Sequence, residues 1–314
     1  LKSAAALRLA RLAADGVSAA DPRRWWGLAD WTRNDTHVRV ADEPLRISGS
    51  SWSQLDRCSL AWFYEHEVKA RSASNSSTAF GSVIHELADA VADGRIPAEI
   101  EVLTGHLKLV WPSLGFDSDW QQAAEFKAAE DAVVRFLNWH AQRGDVRVIG
   151  SELRFNSQID IPGDSVSVTG SVDRLEIDAE GLLHIYDLKT QKKPETGKHL
   201  AAHRQLELYQ LVANEGAFDE AIADHAPGSL DESEGRLPVA DAALVLLRVP
   251  DKRTELPRVQ VQGAVPADVV KDELSEAVSI VRNEAFVPTV NEYCGFCNFR
   301  NVCPVRPESA EVAR

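Results

Sequence analysis

Asp173, Asp187 and Lys189 are the residues whose types and spacing most directly suggest chemistry. They fall between Val166 and Lys189, where two β-branched, alternating runs flank an Asp-Ala-Glu-Gly connection, the pattern of a β-hairpin. With the turn centred near Glu180, Asp173 stands opposite Asp187, and opposed residues on one face of an antiparallel pair have Cβ atoms roughly 5 Å apart. Lys189 lies two residues beyond Asp187 in the same strand and shares its face. Two carboxylates that close repel each other unless a cation sits between them. Hard oxygen donors favour Mg²⁺ or Mn²⁺. An ammonium beside such an ion can position or deprotonate a water, or offset charge developing on a phosphoryl oxygen. Taken alone, the stretch reads equally well as a surface hairpin with its Asp and Lys in solvent, because Asp-x-Lys is common by chance.

Further candidates come from other segments. Glu152 sits in the strand-like VRVIGSELRFNSQI and offers a third carboxylate, directly or through water. His85 lies in SNSSTAFGSVIHELADAVADGRI, a helix with cap residues at Asn75–Thr78 and an apolar stripe of Phe80, Val83, Ile84, Leu87 and Val91, ended by Gly94. A helical histidine among apolar neighbours is most often a satisfied, half-buried residue. Gly81, one turn earlier, asks for a reason: glycine in a helix interior costs about 1 kcal/mol, and its missing side chain allows close approach of a strand, a metal shell or a phosphate. Gln205 and Tyr209 are four apart in HRQLELYQLVANEG and share one helix face. An amide and a phenol beside a metal suit phosphate or base edges, although Tyr209 serves equally as core.

The chain has four cysteines, of which Cys294, Cys297 and Cys303 crowd into CGFCNFRNVCP and Cys58 stands far upstream. Four thiolates fit either zinc or an iron–sulfur cluster. The three-plus-one split, the aromatic surroundings and the final Cys-Pro favour [4Fe–4S] over the paired knuckles usual for zinc. Either would tie residue 58 to residues 294–303 and close a very long loop. Such a tie contributes several kcal/mol by restricting the unfolded chain; with no electron partner or flavin motif visible, it reads as a structural staple rather than a redox centre.

The elements that must position these groups are helices before residue 143, a mixed sheet of about five strands, and more helix: an α/β or α+β chain. SWSQLDRCSLAWFYEHEV reads as one serine-capped helix. Residues 100–143 read as helices broken at WPSLGFDSD, ADAALVLLRVP and RVQVQGAV as strands, and Ala267 to Asn283 as a helix. The acidic stretch 219–238 reads as a loop or disordered excursion. Residues 1–50 look like a connector, whose Trp25, Trp26 and Trp31 either pack on another domain or stack on nucleobases. The chain opens on Leu1, holds no Met, and reads as a piece of a longer protein. No secretory signal or membrane span is visible, so a cytoplasmic protein without membrane association is expected. The formal net charge of −14 argues against broad coating of nucleic acid. Phosphate affinity would have to come from local basic clusters at 69–71, 189–193, 198–204 and 251–258.

In order, Cys58, Gly81-Ser-Val-Ile-His85, Glu152, Gly170-Ser-Val-Asp173-Arg174, Asp187-Leu-Lys189-Thr190, Gln205-Leu-Glu-Leu-Tyr209 and the Cys294/Cys297/Cys303 group resemble the RecB-like branch of the PD-(D/E)xK nuclease superfamily. The nearest resemblance is to the iron–sulfur-bearing C-terminal nuclease domains of bacterial AddAB- and AdnAB-type helicase–nucleases. It covers roughly residues 51–305, leaving 1–50 as a tether from an absent helicase portion and 306–314 as a flexible tail. The resemblance implies a restriction-endonuclease-like core and metal-dependent hydrolysis of DNA, exonucleolytic on single strands, in the processing of double-strand breaks. It assigns the ion to His85, Asp173, Asp187 and the backbone carbonyl of Leu188, with Glu152 holding the ion or its water shell. Lys189 would assist the attacking water, Gln205 and Tyr209 would brace the site, and Arg174 would steady the carboxylates or a phosphate. It also implies a second helicase–nuclease subunit as partner. No Gly-x-x-x-x-Gly-Lys-Ser/Thr loop is present, so ATP binding is not expected. Two other readings keep some of these motifs: a non-catalytic DNA-channel or assembly module of such a complex, and a metal-dependent hydrolase of another substrate.

Overall fold

The computed structural model describes residues 2–25, 36–40, 43–70, 76–144, 146–228 and 236–307. Trp26, Trp31, Asn75 and residues 229–235 and 308–314 lie outside them. The chain divides into two compact units, Leu1–Glu43 and Pro44–Arg314. In the first, helix α1 (Lys2–Ala14) leads into two short 3-10 turns. There the Trp25 Nε1–H donates to Ala19 O at 2.8 Å, so this tryptophan is held within its own segment.

The second unit is built on a mixed sheet. Strands β2 (Arg147–Ile161) and β3 (Asp164–Ile177) form a long antiparallel hairpin. The other edge of β3 is shared by a two-residue strand β1 (Arg46–Ile47), parallel to its start, and β4 (Leu183–Lys189), antiparallel to its end. Beyond β4 come β5 (Val239–Pro250), parallel, and β6 (Pro257–Gly263), antiparallel. The sheet therefore has six strands rather than about five; β1 is too short for any alternation to reveal it. Residues 44–50, grouped with the connector by the sequence reading, belong to the sheet-bearing unit, and Leu45 and Ile47 are buried in it.

Both faces of the sheet are covered. On one lie α2 (Gly49–Arg57), α8 (Arg204–Asn214) and α10 (Ala267–Arg282); on the other lie α4 (Ser76–Ala92), α5 (Ile100–Val110) and α6 (Asp119–Ala141). Side chains alternate along a strand. Accordingly Ala242, Leu244 and Leu246 of β5 enter the first core, and Ala243, Val245 and Leu247 enter the second. This explains why that strand reads as an unbroken apolar run. Leu183 and Ile185 of β4 share the first core and Tyr186 and Leu188 the second, which puts Asp187 on the α8 side.

Two expectations need correction. The helix read through Cys58 is two helices, α2 and α3 (Ser59–His66), because Cys58 is extended (φ −166°, ψ 106°) and caps both. The cap of α2 is Ser48, whose side chain accepts from Ser51 N. The acidic excursion opens with a helix, α9 (Asp219–His225), which puts Ile222 into the first core. Among the described residues no helix is long and apolar enough to cross a membrane.

Candidate active site

The site forms where the two central strands part. The β3–β4 ladder ends at the pair Arg174↔Tyr186. One further step of the same register would put Asp173 opposite Asp187, as the hairpin spacing implied. There the ladder gives way to a different bond: Leu188 N donates to Asp173 Oδ2 at 2.6 Å.

Glu152 arrives from the other edge of β3. Its neighbours pair as Ser151↔Arg174 and Leu153↔Val172, so register also puts Glu152 beside Asp173. Its backbone is left-handed, with φ +47°, a conformation that costs a non-glycine residue roughly 1–2 kcal/mol. Such strain inside a strand is a common mark of a functional position. The helix α4 supplies His85, whose Nδ1 lies 3.4 Å from Asp173 Oδ1 and 3.8 Å from Glu152 Oε1. Gly81 allows that helix to come so close, because a Cβ there would stand 3.2 Å from Thr190 Oγ1, just beyond Lys189. His85, Glu152 and the exposed Arg154 line an open cleft of about 530 Å³.

Behind the carboxylates is a second set. Lys189 Nζ is 2.6 Å from Asp187 Oδ2 and donates to Gln205 Oε1 at 2.9 Å. Gln205 Nε2 donates to Asp187 Oδ1 at 3.1 Å and to Tyr209 OH at 2.6 Å, and Tyr209 OH donates to Asp187 Oδ1 at 3.4 Å. Gln205 and Tyr209 thus face Asp187 together, as their four-residue spacing implies. Tyr209 is also buried core, so both of its readings hold.

Two supporting residues carry no sequence signal of their own. Gly49 packs α2 onto α8 at the backbone of Gln205, where a Cβ would meet Gln205 Cα at 2.8 Å. Phe155 packs edge-on to Tyr209, with ring centroids 6.0 Å apart, and occupies the space over Gly170 that a side chain would take.

Electrostatics follow from crowding acids with little water. Burial, reinforced by Asp187, raises the Asp173 carboxyl above the ordinary range even though His85 opposes it. Glu152 is held below its usual range, chiefly by its hydrogen bond with His85. Burial alone would lower His85, but bonds to Asp173 and Glu152 outweigh it and push the imidazole up to about 10. Burial likewise opposes the charge on Lys189, yet Asp187 prevails and holds the ammonium above its ordinary value. Burial, then Asp187, raises Tyr209.

The donor set fits a divalent cation. Ligand atoms of His85, Glu152 and Asp173 all lie within 4.8 Å of one another. Around an ion with bonds of about 2.1 Å, opposite octahedral ligands stand about 4.2 Å apart. Asp187 Oδ2 is buried and is held at 2.6 Å by the Lys189 ammonium, so Asp187 carries its charge beside the group.

Arg174 does not join this group. It projects to the opposite face of the sheet, where Nε donates to Glu176 Oε1 at 2.6 Å and Nη1 lies 2.9 Å from His140 Nδ1. Strand alternation explains the correction, since residues 173 and 174 must face opposite sides.

The cysteines lie elsewhere on the unit. Cys58, Cys294, Cys297 and Cys303 line one cavity of about 200 Å³. Around it the two ends of the unit are tied directly: Leu60 N donates to Val287 O, Val287 N to Ser59 Oγ, and Asn291 Nδ2 to Arg57 O. Tyr64 packs on Phe299 with centroids 5.1 Å apart.

The family model of the PD-(D/E)XK nuclease superfamily matches residues 46–304, spanning the sheet, every carboxylate above and all four cysteines. The chain belongs to the PD-(D/E)XK nuclease superfamily. No curated protein matches the chain. Among solved structures, the crystal structure of SSO0001 is similar at 14% identity and a TM-score of 0.40, covering 85% of this chain and 89% of that one. Membership in the superfamily supports phosphodiester hydrolysis in general.

Proposed function

We propose that this nuclease is a divalent-metal-dependent deoxyribonuclease that works exonucleolytically on single-stranded DNA. The observation that carries the reading is the convergence of His85, Glu152 and Asp173 within one ion's reach, beside Asp187 and Lys189. His85, Asp173, Asp187 and the carbonyl of Leu188 would hold Mg²⁺ or Mn²⁺, with Glu152 on the ion or its water shell. Bound there, the ion would polarise a phosphoryl oxygen and acidify a water. The Leu188 N–H fixes Asp173, and Gln205 and Tyr209 fix Asp187, so that the carboxylates are oriented before substrate arrives. Lys189, held by Asp187 and Gln205, would assist the attacking water and offset charge on the phosphoryl oxygens.

We further place the chain in the RecB-like branch, as the C-terminal nuclease portion of a cytoplasmic helicase–nuclease with a second subunit, active in end processing. The ordered motifs support that placement, as does the cysteine cavity at the seam between Cys58 and the C-terminal segment. A [4Fe–4S] cluster suits the four thiols. Arg57 O, Ser59 and Val287 already join the segments that the cluster would lock.

The test is incubation of the purified chain with single-stranded DNA and Mn²⁺ or Mg²⁺, alongside Asp187→Ala and Lys189→Ala. Cleavage by the parent chain and its loss in both variants is expected. Equal product from all of them would remove the assignment.

A further inference from the structure

A groove of about 620 Å³ runs between the end of α2, the short helix α7 (Gly197–Ala201) with the residues leading into α8, and the segment from Thr289 to Tyr293. At one end its wall is His203 and Arg204, the two residues before Gln205, whose Oε1 accepts from Lys189 Nζ at 2.9 Å. At the other end Arg57, Thr289, Asn291 and Tyr293 line both the groove and the cysteine cavity. The groove thus leads from the back of the catalytic group toward the cysteines.

Three acids line it beside Arg57, Lys198 and Arg204: Asp56 pairs with Arg204, and Glu195 and Glu292 lie 3.8 and 3.7 Å from His199. Among the described residues Arg57 and Lys198 form no ion pair, although the chain's net charge is −14. The Arg57 guanidinium lies 4.1 Å over the centre of the Tyr293 ring, while 40% of Tyr293 stays exposed. A flat ring backed by the Arg57 guanidinium, with the Lys198 ammonium lining the same groove, is an arrangement that holds a nucleobase and its phosphates. The ring needs an unstacked base, and a duplex keeps its base faces covered.

We propose that this groove carries the unpaired strand of the DNA substrate away from Asp187 and Lys189, one base stacking on Tyr293 and the phosphates lying against Arg57 and Lys198. The inference rests on the nuclease reading and adds the path of the strand.

It is tested by fluorescence anisotropy on the full chain carrying Asp187→Asn, with Mg²⁺, using a labelled oligo(dT) strand and a blunt duplex. Tyr293→Ala should weaken the single strand about fivefold or more, with Tyr293→Phe close to the parent. Lys198→Ala should reduce the slope of log affinity against log salt by about 0.7, the loss of one phosphate contact to a single strand. Lys252→Ala, on the β5–β6 turn, should change nothing, and duplex affinity should not follow the Tyr293 series. Lys198 is exposed, so Lys198→Ala decides the matter if Tyr293→Ala fails to fold. Parent-like single-strand binding by Lys198→Ala and by any folded Tyr293→Ala overturns the groove, as does equal weakening of strand and duplex. The nuclease reading fails separately, if the unsubstituted chain with Mn²⁺ leaves the same oligo(dT) uncut.

Discussion

Gly49→Ala should damage both stability and catalysis, although a propensity argument says the opposite. Gly49 is the first residue of α2, where alanine is normally the better helix former. A Cβ at that position would lie 2.8 Å from Gln205 Cα and 2.9 Å from Gln205 Cβ and Cγ. Carbon atoms rest at roughly 3.5 Å or more, so α2 and α8 must part by roughly 0.7 Å. The Cα is backbone and cannot swing aside. Overpacking of this kind costs roughly 1–3 kcal/mol, or about 2–4 °C of melting temperature per kcal/mol. The catalytic cost follows because Gln205 bridges Lys189 Nζ, Asp187 Oδ1 and Tyr209 OH at 2.9, 3.1 and 2.6 Å. Losing about 1.4 kcal/mol of orientation there lowers kcat about tenfold. Gly105→Ala is the matched control, since it lies inside α5 and a Cβ there meets nothing within 4 Å. It should gain roughly 0.5–1 kcal/mol. Thermal melts and Mn²⁺-dependent oligonucleotide cleavage on both variants decide the matter. A Gly49→Ala chain that melts and cuts like its parent would refute the reasoning.

Glu152→Gly should be more stable than Glu152→Ala by about 1 kcal/mol, reversing the usual strand order, because only glycine accepts φ +47° without strain; denaturant melts of the two variants check this, and both should lose activity. The turn between β3 and β4 should be pH-sensitive. Burial opposes charge on His184, but Asp178 and Asp241 outweigh it and raise its pKa, while His184 and then the Leu182 N–H lower that of Asp178. The contribution of His184 is complete below about pH 6.5 and disappears as pH rises through its folded value; that of Asp178 is complete above about pH 4 and disappears as pH falls. The difference in melting temperature between the parent and His184→Gln should therefore be largest from about pH 4 to 6.5 and shrink on either side. Cys58→Ala should lower the melting temperature and abolish absorbance near 400 nm in the purified chain; stoichiometric zinc without iron in the parent would exclude the cluster.

Much of the site was legible because it obeys short-range rules. Strand periodicity and turn length alone placed Asp173 against Asp187, and helical spacing joined Gln205 to Tyr209. What escaped depends on contacts across the fold. The left-handed backbone of Glu152 has no sequence mark, since a glutamate in a strand looks ordinary until its φ is known. Gly49 and Phe155 act only through residues far away in the chain. Arg174 was misplaced by a motif that ignores alternation: its neighbour Asp173 faces His85, so it faces the Glu176 side. Cys58 broke a helix that the pattern ran straight through, because its extended backbone is set by the seam with Val287 and Asn291 rather than by local propensity.

The most direct measurement is an anomalous difference map from crystals soaked in Mn²⁺. One strong peak is expected about 2.1–2.2 Å from ligand atoms of His85, Asp173 and Asp187, with Glu152 on the ion or one water away. A peak elsewhere, or none at saturating Mn²⁺ while these side chains keep their positions, would contradict the metal assignment.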